Sequence, residues 1–103
     1  MRVLVLYRAD LELEMHRFAD ARADAEKSLE MAKELGELEI PSTNLGNAYL
    51  ILGRALRGQG ERNQARAAFA SAVEQLRPSL GPDHPKTQMA ERLAREMGAA
   101  AAN

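Results

Sequence analysis

Apolar residues recur along this chain at spacings of three and four, the period of a helix buried on one side. Leu4, Tyr7, Leu11 and Met15 mark a first helical segment over about residues 2–15, and His16-Arg17 leads into a second. That second segment runs from about Phe18 to Leu35, with Phe18, Ala21, Ala25, Leu29 and Ala32 inward and Gly36 as its left-handed cap. Pro41 stands near the start of a third segment, where a missing N–H is tolerated, and Ser42 or Thr43 can cap it. Leu45, Tyr49, Leu52, Gly53 and Leu56 face inward until about Arg57, and Gly58-Gln59-Gly60 breaks the helix. The fourth segment, about Glu61 to Leu80, buries Ala65, Ala68, Phe69, Ala72, Val73 and Leu76. Its Pro78 predicts an end to regular helix near Arg77. Gly81-Pro82-Asp83-His84-Pro85 is a stiff connector, and Asp83 is the expected cap of a fifth segment. Ala90, Leu93, Ala94 and Met97 share one face of that segment, ahead of Gly98 and a frayed tail over residues 99–103. Connections this short set neighbouring helices antiparallel. The pattern is that of an all-α fold.

Composition supports this reading. The chain has 103 residues, enough for one domain, and nineteen are alanine, the best helix former. Two Phe, two Tyr, no Trp, three Val and two Ile would furnish a β-sheet poorly. Arg2-Val3-Leu4-Val5-Leu6 could open an α/β fold as a buried strand, but no second candidate exists to pair with it. The absence of cysteine excludes disulfides, thiolate metal sites and a cysteine nucleophile. The N-terminal apolar run, Val3 to Tyr7, is far short of the roughly 20 residues that span a bilayer. It is also shorter than a signal-peptide core of about 7–15 residues, so a cytoplasmic address without a membrane partner is expected.

Internal repetition carries the organisation further. An offset of forty-four residues aligns Arg17–Leu29 with Glu61–Val73, pairing Ala21 with Ala65, Arg22 with Arg66, and Ala25 with Phe69. The second and fourth segments are therefore one element used twice. From Tyr49 to Pro78 the chain offers Tyr49, Leu52-Gly53, Leu56, a turn at Gly60, then Ala65, Phe69, Ala72 and Pro78. This order resembles a tetratricopeptide repeat: a large residue, Leu-Gly and another large residue on one helix, then alanine and an aromatic on the next. Tyr49 stands where tryptophan is usual, and Leu56 where tyrosine is. Leu80-Gly81-Pro82-Asp83-His84-Pro85-Lys86-Thr87 is similar to the linker of kinesin-light-chain-type repeats. Similar repeats follow bacterial serine/threonine kinase domains. The first segment departs from the pattern, with Arg8-Ala9 where Leu-Gly is expected.

The resemblance implies antiparallel hairpins stacked as a right-handed solenoid. Repeat one covers about residues 2–36, repeat two about 41–80, and a capping helix about 83–98. Gly53 and Ala65 keep the paired helices close, and Ala72 does the same toward the next helix, within the roughly 8–10 Å of packed helices. In this family the first helix of each repeat lines a concave groove. Carried across, Asn47, Leu50, Arg54 and Arg57 face a bound protein or peptide, with Leu6, Asp10 and Leu13 on the equivalent face of the first segment. Arg54 and Arg57 lie three apart and can clamp a carboxylate; solvated arginines without a partner are the plainer alternative. The Lys/Asn set of the chaperone-binding carboxylate clamp is missing. The implied function is a non-catalytic protein- or peptide-interaction scaffold that uses this groove, as the terminal part of a larger bacterial signalling protein. The alternative is an architectural or self-associating repeat cap, since two repeats and one helix make a short array.

Charge and candidate chemistry narrow this only slightly. The formal charge is −1, but residues 1–40 balance at −4 and residues 41–80 at +3. Solvated faces with local ion pairs are the plainer explanation of the asymmetry; a groove with ends of opposite charge, or head-to-tail pairing of copies, is the sharper one. Glu12 and His16 are four apart and could both touch a metal, yet the chain's two histidines cannot complete a two-metal bundle site. His84 fits capping or packing in its linker, and Ser28, Ser42, Ser71 and Ser79 have no neighbouring base along their helices. Gly58-x-Gly60 alone is a turn and not a phosphate loop. No cofactor, metal or enzyme activity is expected. Arg54, Arg57, Arg62 and Arg66 give some basic surface, but without stacking aromatics beside them no nucleic-acid partner is expected.

Overall fold

The helical spacings become helices. A computed structural model describes residues 11–36 and 42–102, with side chains as far as residue 98, and no strand occurs among them. α1 is described over residues 11–14; α2 spans Phe18–Glu34, α3 Thr43–Gly58, α4 Arg62–Leu80 and α5 Pro85–Ala102. Leu4, Tyr7, Leu6, Asp10 and Pro41 lie outside the described residues.

Local chemistry sets the boundaries. Gly36 (φ 71°) ends α2 in the left-handed conformation, its N–H donating to the Lys33 carbonyl, and Gly60 (φ 80°) does the equivalent service between α3 and α4. Ser42, one of the two expected caps, takes the role: its Oγ accepts from the Asn44 and Leu45 N–H groups at 3.1 and 3.3 Å. Three boundaries differ from expectation. α4 continues through Pro78 to Leu80. A proline there removes only the donor to the Glu74 carbonyl, on a turn where Glu74 and Pro78 are both exposed, and the Ser79 hydroxyl still closes onto the Gln75 carbonyl at 2.7 Å. The cap of α5 is His84 and not Asp83, with Nδ1 accepting the Lys86 N–H at 3.1 Å. α5 also runs past Gly98 to Ala102, where an alanine run favours helix over a frayed end.

α3 is the shared wall of two cores. Toward α4 the register is antiparallel and set by small residues. A side chain on Gly46 would meet Leu76, and a Cβ on Gly53 would stand 2.5 Å from the Phe69 ring. Gly46 and Gly53 are seven apart, as are Phe69 and Leu76, so the two close approaches repeat after two turns. Ser42 N–H donating to Gln75 Oε1 (2.9 Å) and Thr43 donating to Ser79 (3.3 Å) tie the start of α3 to the end of α4. Toward α2, Gly58 lies under the Phe18 ring and Arg22 donates to Gln59 at 3.1 Å. α5 packs antiparallel on α4: Thr87 donates to the Leu76 carbonyl at one end, and Gly98 meets Arg66 at the other. Tyr49 and Leu52 are half-buried, while Leu56, Ala65, Phe69, Ala72, Ala21 and Ala25 are buried.

α1 turns a different face inward from the one its spacing suggested. Leu11 is 44% and Met15 65% exposed, whereas Leu13 is buried with Ala21, Ala25, Ala48, Ile51 and Ala55. The chain reverses immediately after, at His16 (φ 59°), whose exposed ring leans against Phe18 with centroids 5.5 Å apart.

Candidate functional site

The expected recognition residues separate into core and surface. Leu50 is only 5% exposed and packs in the cluster with Phe69, Leu93 and Met97, and Leu13 is 6% exposed in the other cluster. Neither lines an open face. This corrects their expected placement: α3 carries helices on both sides, which enclose Leu50 midway along it, and Leu13 on α1 turns inward against alanines of α2 and α3. Asn47 and Arg54 are half-buried and Arg57 is exposed. These three are the polar remainder of that face.

α5 answers them. Lys86 Nζ donates to Asn47 Oδ1 at 2.8 Å, and Arg57 Nη1 lies 4.0 Å from Glu96 Oε2. Asn47 and Arg57 are ten residues apart, as are Lys86 and Glu96, so α3 and α5 run parallel and share a polar strip about 15 Å long. Arg54 lies within the strip, three residues from Arg57, and takes part in an interaction of its own. Glu96 is also 3.9 Å from Arg92. Both partners of the Arg57–Glu96 pair are roughly half exposed, so the pair is loose and exchangeable. Chemically, the strip offers forked guanidinium donors, an ammonium and an amide: the equipment for holding carboxylates and main-chain carbonyls. Lys86 and Glu96 were not singled out in the sequence; their matched ten-residue spacing was the signal.

A second polar feature sits at the other core. Glu12 of α1 and Asp24 of α2 are 7% and 8% exposed and hydrogen-bonded to one another. Sharing that bond with Asp24, together with burial and the nearby Asp24 and Asp20 charges, pushes Glu12 up to about 7, against a smaller opposing pull from Arg17. Glu12 Oε1 is buried with no hydrogen-bond partner. Arg17 is spoken for by Asp20 at 2.6 Å, and these residues with Ala23 border an open cleft of about 350 Å³. Among the described residues no group of three acid or histidine ligands could hold a metal, so Glu12 and His16 gain no third partner. The sequence signal was an acid at position 24, on the inward stripe with Ala21 and Ser28.

No described helix is long and apolar enough to cross a membrane. Comparison of the chain with protein-family models, curated proteins and solved structures finds no match.

Proposed function

We propose that this chain is a non-catalytic, tetratricopeptide-like interaction module that holds a protein or peptide segment against the α3 face bearing Asn47, Arg54 and Arg57. The observation that carries the reading is the parallel pairing of α3 with α5, which turns an isolated row of side chains into a two-helix wall with a polar strip. The close approach of Gly53 to Phe69 and the burial of Ala65 and Ala72 agree with the small-residue roles that the repeat resemblance implies. In this reading the helices are the start of a right-handed solenoid at the end of a larger bacterial signalling protein, in the cytoplasm. A ligand carboxylate takes the place of Glu96 beside Arg57.

The test is a pull-down comparing wild type with Arg54→Glu/Arg57→Glu, each checked for an unchanged melt. Loss of specific partners from the variant is expected; equal recovery of every partner removes the assignment. A second reading, self-association without an external ligand, draws on Leu11 (44% exposed) and Met15 (65% exposed) beside the α1–α2 turn. Light scattering separates the two, because a tight dimer that covers the α3 face favours self-association.

A further inference from the structure

Away from the α3 strip, the last turn of α4 and the outer side of α5 enclose a groove of about 480 Å³. Arg77, Arg92 and Arg95 line it, with Pro82, Gln88 and one acid, Glu91. That volume lies within the roughly 300–1,000 Å³ of ligand clefts. Arg92 is engaged only loosely with Glu96, at 3.9 Å. Arg77 and Arg95 have no ion-pair partner among the described residues, and Glu91 stands beyond 4 Å of any cation there. Three guanidinium groups thus face one open groove whose lining holds a single carboxylate, with Glu96 outside it and only loosely on Arg92. Like charges gathered in this way repel one another, and an anion in the groove relieves the repulsion.

We propose that this groove docks an acidic peptide segment whose carboxylates lie three or four residues apart on a helix. Arg92 and Arg95 are themselves three apart on α5, which places their forks at the spacing of such a carboxylate pair. Arg77, on the other helix, faces the same ligand from across the groove. The aliphatic stems of the arginines and the Pro82 ring give the segment an apolar bed. The groove's lining shares no residue with the Asn47–Arg54–Arg57 face; the two regions meet at Glu96, which lies 4.0 Å from Arg57 and 3.9 Å from Arg92, and the proposal does not require that face to bind anything.

The probe is a fluorescein-labelled alanine-based helical peptide with glutamates spaced three and four apart, followed by anisotropy with the full chain. Binding is expected to weaken as salt rises from about 50 to about 150 mM. A glutamine version of the peptide should bind at least about tenfold more weakly, and Arg92→Gln/Arg95→Gln should cost the glutamate peptide a similar factor. Arg92→Glu/Arg95→Glu should abolish binding. Lys27→Glu/Lys33→Glu on exposed positions of α2 makes the same change in net charge and should leave affinity within about twofold. Arg54→Glu/Arg57→Glu should likewise keep the peptide bound. No binding, equal binding of the glutamine peptide, or equal weakening by the α2 charge control would overturn the proposal. So would self-association of the chain abolished by the same α5 substitutions, which would make a second copy the occupant.

Discussion

The two cores that meet on α3 are built from different materials. On the α4–α5 side, Phe69, Leu76, Leu50, Leu56, Leu93 and Met97 interdigitate with Ala65, Ala68, Ala72 and Ala90. On the α1–α2 side the fully buried set is Leu13, Ile51 and four alanines, edged by Phe18 and Leu29. Buried apolar area stabilises at roughly 25 cal/mol per Å², so the larger side chains make the second half of the molecule the stronger one. The weaker core also houses the Glu12–Asp24 pair, a polar contact whose strength depends on a proton. Alanine lets helices approach closely, but closeness without large side chains to fill the interface leaves little area to remove from water.

Substitutions can sharpen that contrast. The largest effect is expected from Phe69→Ala, which empties the centre of the stronger core and should lower unfolding free energy by about 3–5 kcal/mol in chemical denaturation. A smaller loss there than from Leu13→Ala would reverse the ranking of the two cores. Next comes pH. Glu12 titrates higher in the folded chain than in the unfolded one, so the folded state binds more protons and this group's contribution falls as pH rises. That contribution is complete below about 4.5 and is lost on passing about 7. Glu12→Gln keeps a donor toward Asp24 at every pH. Its stability relative to wild type should therefore improve between pH 5 and pH 8, by up to about 3 kcal/mol. A difference that does not move with pH would show that Glu12 and Asp24 do not share a proton. The smallest of these effects is expected at the α3–α4 crossing, where Gly53→Leu or Ala65→Leu overpacks by about 1–3 kcal/mol. A thermal melt unchanged in both would mean that the crossing is not closely packed.

How legible all this was depends on how many neighbours a helix has. α2 and α4 each showed their inward residues in one stripe, and Ala21, Ala25, Ala65, Phe69 and Leu76 fall where the spacing put them. α3 did not. Its Ala48, Ile51 and Ala55 face α2 while Leu56 and Gly53 face α4, and a one-stripe reading finds only one of those sides. Leu50 was misplaced for the same reason. The close approaches at Gly46 and Gly58 were missed because each depends on which residue of the facing helix arrives opposite, Leu76 or Phe18, and register is a tertiary property. Asn47 and Arg57 were legible as polar positions on a helix otherwise apolar, but their partners Lys86 and Glu96 lay on a segment read only as a cap. Glu12 was weighed only as a metal partner of His16 and Asp24 not at all, since nothing in a linear chain announces that these two acids will meet.

The division into a strong and a weak core is tested most directly by native-state amide hydrogen exchange, resolved residue by residue at one pH. The buried amides of α4, with those of α3 and α5 that pack on it, should exchange only on global unfolding, while α2 should open separately at a lower free energy. Equal protection of α2 and α4 under the same conditions would contradict the account.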